Sequence, residues 1–133
     1  MSDRPDRPTT LLAGLFLASG VIHLVRPQVF EPIVPAPLRE HDRALVRVSG
    51  VAEIACTAGL LVPATRPVAG WASAALLVGV FPANVQMTVD HARRARRRRT
   101  PAAVGVFVGT LARLPLQWPL MRIAVRAAGP GRG

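Results

Sequence analysis

Residues 67–89 read PVAGWASAALLVGVFPANVQMTV, a run without one charged side chain. A helix on the surface of a water-soluble bundle keeps a polar face, often with charged pairs along it. This run offers no such face, so it suits lipid and not water. Its length also fits, since roughly 20 apolar residues in helix cross the hydrocarbon core of a bilayer.

Three more segments approach that length, at about 9–25, 44–62 and 102–125. With 67–89 they take up well over half of the 133 residues. The pattern predicts an all-α protein, a four-helix transmembrane bundle over 9–125 with flexible tails at 1–8 and 126–133. Arg4 and Arg7 ahead of the short first segment have the form of a signal-peptide start. No Ala-x-Ala cleavage site follows, and the apolar character runs on to Val25, so the segment is expected to remain as a span.

Charge orients the spans. All 17 basic residues are Arg, and the net charge is +10. On a polar domain that balance would point to nucleic acid. Here it lies in short pieces between apolar runs, as membrane proteins carry it, and no specific nucleic-acid partner is expected. DHARRARRRRT, between the third and fourth segments, holds six Arg, and Arg26–Arg43 holds three. Four spans place these two connections on one face. The positive-inside rule then puts loops 26–43 and 90–101 in the cytoplasm and both termini outside. The Arg run is expected to anchor that face against anionic lipid. Pro27, Pro32, Pro35 and Pro37 argue against regular helix in the first connection. Its Phe30, Ile33, Val34 and Leu38 should rest on the interface or tuck into the mouth of the bundle.

Ionisable groups inside a span are costly unless they face a cavity or a partner, so they mark candidate sites. The candidates are His23, Arg47, Glu53, Asn84, Gln86, Arg113 and Gln117. Helical geometry gathers them. Phe16, Ser19, Gly20 and His23 share about 100° of arc, and Gly50, Glu53 and Thr57 about 60°. Gly109, Thr110, Arg113 and Gln117 share about 100°. Small residues beside polar ones let helix backbones approach in lipid. Asn84 and Gln86 diverge by about 160°, so Asn84 is the better interior residue. Arg47 and Arg122 are shallow enough to snorkel. Glu53 and Arg113 fall at similar depth, about 14 and 17 Å from their span ends. They are therefore expected to pair, with His23 and Asn84 beside them, because either charge alone would be buried unpaired. A purely structural role, fixing helix register, explains such a pair equally well.

Other chemistries are excluded. The single Cys, Cys56, reads as a small packing residue and cannot form a dithiol or a four-ligand metal site within the chain. His41 and His91 lie in the connections, which leaves one intramembrane His and no bis-His haem site. No glycine-rich phosphate loop, nucleophile elbow or metal cluster is present.

GVIHLVRPQVFEPIVP, SGVAEIACTAGLLVPATRPVAGW, FPANVQM and RLPLQWPL follow one another in this order. Together they resemble the DoxX-like family of small bacterial four-helix membrane proteins, over about residues 14–120. The blocks carry His23, Pro27, Phe30 and Pro35; Ser49, Gly50 and Glu53; Phe81, Pro82 and Asn84; and Arg113, Pro115 and Gln117. The resemblance implies a multi-pass protein of the bacterial cytoplasmic (inner) membrane. It also implies a link to quinone-dependent respiratory oxidation. The Arg-rich connection is longer and more basic than that pattern, and the tail MRIAVRAAGPGRG lacks its aromatic ending.

Three functions follow as expectations. In the first, a quinone-linked redox accessory subunit holds a quinone head group among His23, Glu53, Asn84 and Arg113. It is not an enzyme on its own, and a redox protein partner supplies the electron carrier that the chain lacks. In the second, a non-catalytic scaffold or assembly subunit docks cytoplasmic partners through its Arg run. In the third, a small proton-coupled transporter uses Glu53, a role that a neighbouring Arg113 disfavours.

Overall fold

The computed structural model of the chain describes residues 4–30, 34 and 36–129. Among these, all regular structure is helical, and four long helices dominate. Pro32, Ile33 and Pro35 lie outside the described residues.

Local chemistry sets the helix ends. Helix α1 spans Arg7–Val25, starting two residues before the expected span. Asp6 accepts a 2.8 Å hydrogen bond from the Thr9 N–H, and Pro8 occupies the first turn, where no amide donor is needed. Pro27 then opens a 3-10 turn, Pro27–Val29. A second 3-10 helix, Ala36–His41, leads into α2, Asp42–Leu61. Among its described residues the proline-rich connection holds these tighter turns and no α-helix. Helix α3 spans Arg66–Arg98, with Pro67 in its first turn. The segment expected as loop 90–101 is therefore helical as far as Arg98. Only Arg99 and Thr100 separate α3 from α4, Pro101–Ala128. Arg99 adopts a left-handed φ of 51° and donates its amide to the Ala95 carbonyl, which ends α3 sharply. Thr100 caps α4 through the Ala103 N–H, and the helix runs into the expected tail as far as Ala128.

Close contacts fix an antiparallel register. Gly20 faces Gly50 where α1 crosses α2: a Cβ on Gly20 would stand 2.8 Å from the Gly50 carbonyl oxygen. Further along the same pair, Thr57 donates across to the Ala13 carbonyl at 3.0 Å. On the other pair, a Cβ on Gly70 of α3 would meet the Ala124 carbonyl of α4 at 2.7 Å. Thr88 of α3 donates to the Thr110 carbonyl of α4 at 3.2 Å, and Gln117 of α4 donates to the Leu77 carbonyl of α3 at 2.9 Å. Helix α2 joins the two pairs against α3, where Gly59 meets Ala69. Leu12, Phe16, Leu60 and Leu77 form the core with Ala69, Ala74 and Ala124.

The exterior is apolar. Val68, Trp71, Val78 and Trp118 are each more than half exposed. Side chains of that size pointing outward along whole helices suit lipid, not water. Three helical stretches, Arg7–Val25, Pro37–Leu61 and Arg66–Arg98, are long and apolar enough to cross a membrane. Helix α4 has the length but falls outside that set. Arg113, Gln117, Pro115 and Pro119 dilute its apolar character.

Candidate functional site

The two helix pairs do not close on each other everywhere. Towards the end that carries the α1–α2 connection, they leave a cavity of about 240 Å³. Its volume arises from small side chains on α3, where Gly79 and Ala83 flank Pro82. Pro82 cannot donate to the Val78 carbonyl, so the helical ladder is interrupted beside the cavity. The connection roofs the space with Phe30, Val34 and Leu38, and Val34 is 6% exposed. The connection thus tucks into the mouth of the bundle.

Into this apolar shell four helices bring His23, Glu53, Asn84 and Arg113, with Ser19 and Ser49 at the wall. Glu53 is 5% exposed. It sits on the turn beside the Gly20–Gly50 crossing, and a Cβ on Gly20 would approach Glu53 Cβ to 3.2 Å. The two glycines are therefore what bring the α1 and α2 walls of the site together.

The ionisable side chain that comes within 4 Å of Glu53 is His23 and not Arg113. His23 Nδ1 lies 3.4 Å from Glu53 Oε2, whereas no guanidinium nitrogen of Arg113 comes within ion-pair distance of the carboxylate. Arg113 is instead substantially exposed and reaches the same cavity from α4. Matched depth put the two residues at one level, but a residue count along each helix does not measure the gap between helices. Here that gap is the cavity.

Hydrogen-bond accounting defines the histidine. Nδ1 lies 2.6 Å from the Ser19 carbonyl oxygen, which can only accept, so Nδ1 carries hydrogen and donates. That hydrogen is used on the backbone. Glu53 Oε2 therefore remains without a hydrogen-bond donor although His23 is close. The imidazole stacks on Phe30, with ring centroids 3.9 Å apart and planes 6° apart, which holds its orientation. Leaving a buried acceptor unsatisfied costs about 1–3 kcal/mol.

The remaining candidates lie elsewhere. Gln117 faces α3 and clamps the Leu77 carbonyl. Gln86 donates to Asp90 one turn along its own helix at 2.9 Å. Arg47 is exposed, outside the cavity lining. Two features escaped the sequence reading. Thr57 and Thr88 tie helices together through backbone carbonyls, and Ser19 anchors the histidine through its own carbonyl. Ser19 and Thr57 lay on the predicted interior faces, but nothing in a residue type reveals which carbonyl it will meet. No group of three or more His, Cys, Asp or Glu side chains suited to a metal occurs among the described residues.

Fold and site together define, among the described residues, a four-helix bundle with three helices long and apolar enough to cross a membrane and a small, mostly apolar cavity into which all four helices bring polar side chains. The chain belongs to the family described as a domain of unknown function, DUF8561, whose profile it matches over residues 12–128. No curated protein and no solved structure matches it.

Proposed function

We propose that the protein is a DoxX-like, multi-pass protein of the bacterial inner membrane that holds a quinone-type head group in its cavity and serves a redox partner. Connections 26–43 and 99–100 then face the cytoplasm, and α4 completes the membrane bundle. One observation carries the reading: Glu53, with one buried oxygen that no donor meets, lines a cavity together with His23, Asn84 and Arg113. The space is smaller than the roughly 300–1,000 Å³ typical of drug-sized ligands, so it suits one ring and not an elaborate molecule. Arg113 and Asn84 supply donors for a ligand oxygen, and His23 and Glu53 supply groups able to exchange a proton. The quinonoid choice comes from the family resemblance; the size and polarity of the cavity admit it. Purification of the full chain in mild detergent, followed by solvent extraction, should yield bound quinone. Adding a short-chain quinone should raise the thermal midpoint. Absence of both bound quinone and a quinone-dependent rise in the midpoint would overturn the reading.

A scaffold role draws on a separate observation. Helix α3 has 33 residues, about 50 Å, against roughly 30 Å of hydrocarbon. Its last turns carry exposed Arg93, Arg94, Arg96, Arg97 and Arg98. Such a basic helical projection suits docking of an acidic partner at the membrane surface. Replacing these five with Gln should abolish co-purification of the partner, while cavity binding persists.

A further inference from the structure

Among the described residues the cavity has one apolar way out. Gly20 against Gly50 closes the side between α1 and α2, and the Thr88 and Gln117 hydrogen bonds close the side between α3 and α4. Phe30, Val34 and Leu38 roof the end. The side between α1 and α4 carries Ser19, His23 and Arg113, which suit a ring oxygen and not hydrocarbon. The seam between α2 and α3 changes along its length. At one end it is shut: a Cβ on Gly59 would stand 2.7 Å from Ala69 Cβ. Helical spacing carries that face of α2 from Gly59 to Ser49 and Leu45, and that face of α3 from Ala69 to Val80 and Ala83. Here the same seam lines the cavity. Leu45 is 37% exposed, and a Cβ on Gly79 would meet nothing within 4 Å. The shut seam has become a slit that opens sideways.

Outside the shut part of the seam lies a groove of about 450 Å³. Ala55, Ala58 and Gly59 of α2 line it with Val68, Ala69 and Ala72 of α3. Ala72, Ala75 and Gly79 then follow one another on one side of α3, all exposed, and lead from the groove to the slit. From Val68 to Gly79 this track runs about 16 Å. A hollow of small residues alone names no occupant. This one continues into a polar cavity with room for one ring.

We propose that the ligand is an amphiphile drawn from the bilayer: its ring lies in the cavity, and its apolar tail passes through the α2–α3 slit beside Gly79 and lies in the groove. This rests on the cavity being a quinone-type site, and within that class it selects molecules with a long hydrocarbon tail over water-soluble single rings. Lipid is as apolar as the groove, so the tail gains by packing against small side chains and not by leaving water. Its tether to the bound ring raises its effective concentration at the groove above that of free lipid chains. The slit also serves as the way in, so the roof of Phe30, Val34 and Leu38 need not open.

The test uses full-length protein in lipid nanodiscs and two probes: a decyl benzoquinone whose tail ends in a diazirine, and the same benzoquinone without a tail. Illumination of the tailed probe should label residues 55–72, read by mass spectrometry of peptides. Excess tail-free ring should remove that label, because ring and tail belong to one molecule. Ala72→Phe fills the groove outside the cavity. It should weaken the tailed probe about ten-fold, the order of a steric insertion into a packed contact, and leave the affinity of the tail-free ring unchanged. If Ala72→Phe does not fold, the competition in the wild-type protein still decides. Label at 55–72 that survives excess ring means that the groove holds lipid chains in general, and overturns the proposal. Label on α1 or α4, or no label from a probe that binds, overturns the tail path but leaves the quinone site standing. Failure of both probes to bind overturns both.

Discussion

The α1–α2 pair and the α3–α4 pair use polar residues in opposite ways. On α3 and α4, polar side chains hold the helices together: Gln117 takes the Leu77 carbonyl, and Thr88 takes the Thr110 carbonyl. On α1 and α2, two glycines bring the helices close, and the ionisable pair beside them, His23 and Glu53, leaves a carboxylate oxygen unsatisfied in a cavity. Thr57 shows that the first pair can also spend a hydroxyl on structure. The lesson is that a polar residue in a membrane helix is informative only once its hydrogen bonds are counted. Satisfied, it is a fastening; unsatisfied beside an open volume, it is a candidate binding group.

The largest expected effect lies at the glycine crossing. A Cβ at Gly50 would stand 2.8 Å from His23 Cβ and 3.0 Å from the Gly20 carbonyl. Gly50→Leu should cost about 3 kcal/mol, the upper end of the overpacking range, and separate the walls of the site. Size-exclusion profiles and thermal midpoints in detergent would show it. A variant as stable as the parent would mean that the helices do not approach this closely.

Next comes the carboxylate. Glu53→Met removes an unsatisfied buried acceptor, so stability should hold or rise by up to about 1–3 kcal/mol while ligand binding falls. A marked loss of stability would reveal a structural partner and erase the difference between the two pairs. The cap of α1 ranks third. Asp6→Ala should lower stability by about 1 kcal/mol, measured by chemical unfolding in detergent. The Thr9 hydrogen bond holds the Asp6 carboxyl below its ordinary value of 3.8, with Arg66 and Arg126 contributing at a distance. A carboxyl depressed in the folded state contributes stability that is complete above 3.8 and lost as pH falls through the lower folded value. Asp6→Asn should remove that acid dependence while keeping much of the cap. The smallest effects belong to the fastenings. Gln117→Leu and Thr88→Val should each cost about 0.6 kcal/mol and leave ligand affinity unchanged. A specific loss of affinity in Gln117→Leu would return that residue to the site.

The helices themselves were legible because lipid imposes one simple demand, a long apolar run, and residues 67–89 meet it without interruption. Their ends were less so. Arg93–Arg98 read as loop by charge, yet exposed Arg is a good helix former and nothing stops α3 before Arg99 turns left-handed. Helical faces grouped His23, Glu53, Asn84 and Arg113, and these four line one cavity. They could not supply the distance between helices, so the expected Glu53–Arg113 contact gave way to His23–Glu53. Gln117 misled for the same reason. It shares an arc with Arg113, but its partner is a backbone carbonyl that sequence does not display.

The central claim is that Glu53 keeps a carboxylate oxygen for a ligand and not for a protein side chain. Difference infrared spectra of the full-length protein in nanodiscs, recorded before and after adding a short-chain benzoquinone, test it directly. The Glu53 carboxylate band should shift on ligand addition, be absent from Glu53→Gln, and stay in place in Arg113→Gln without ligand. A band that ignores bound ligand but moves when Arg113 is replaced would contradict the claim.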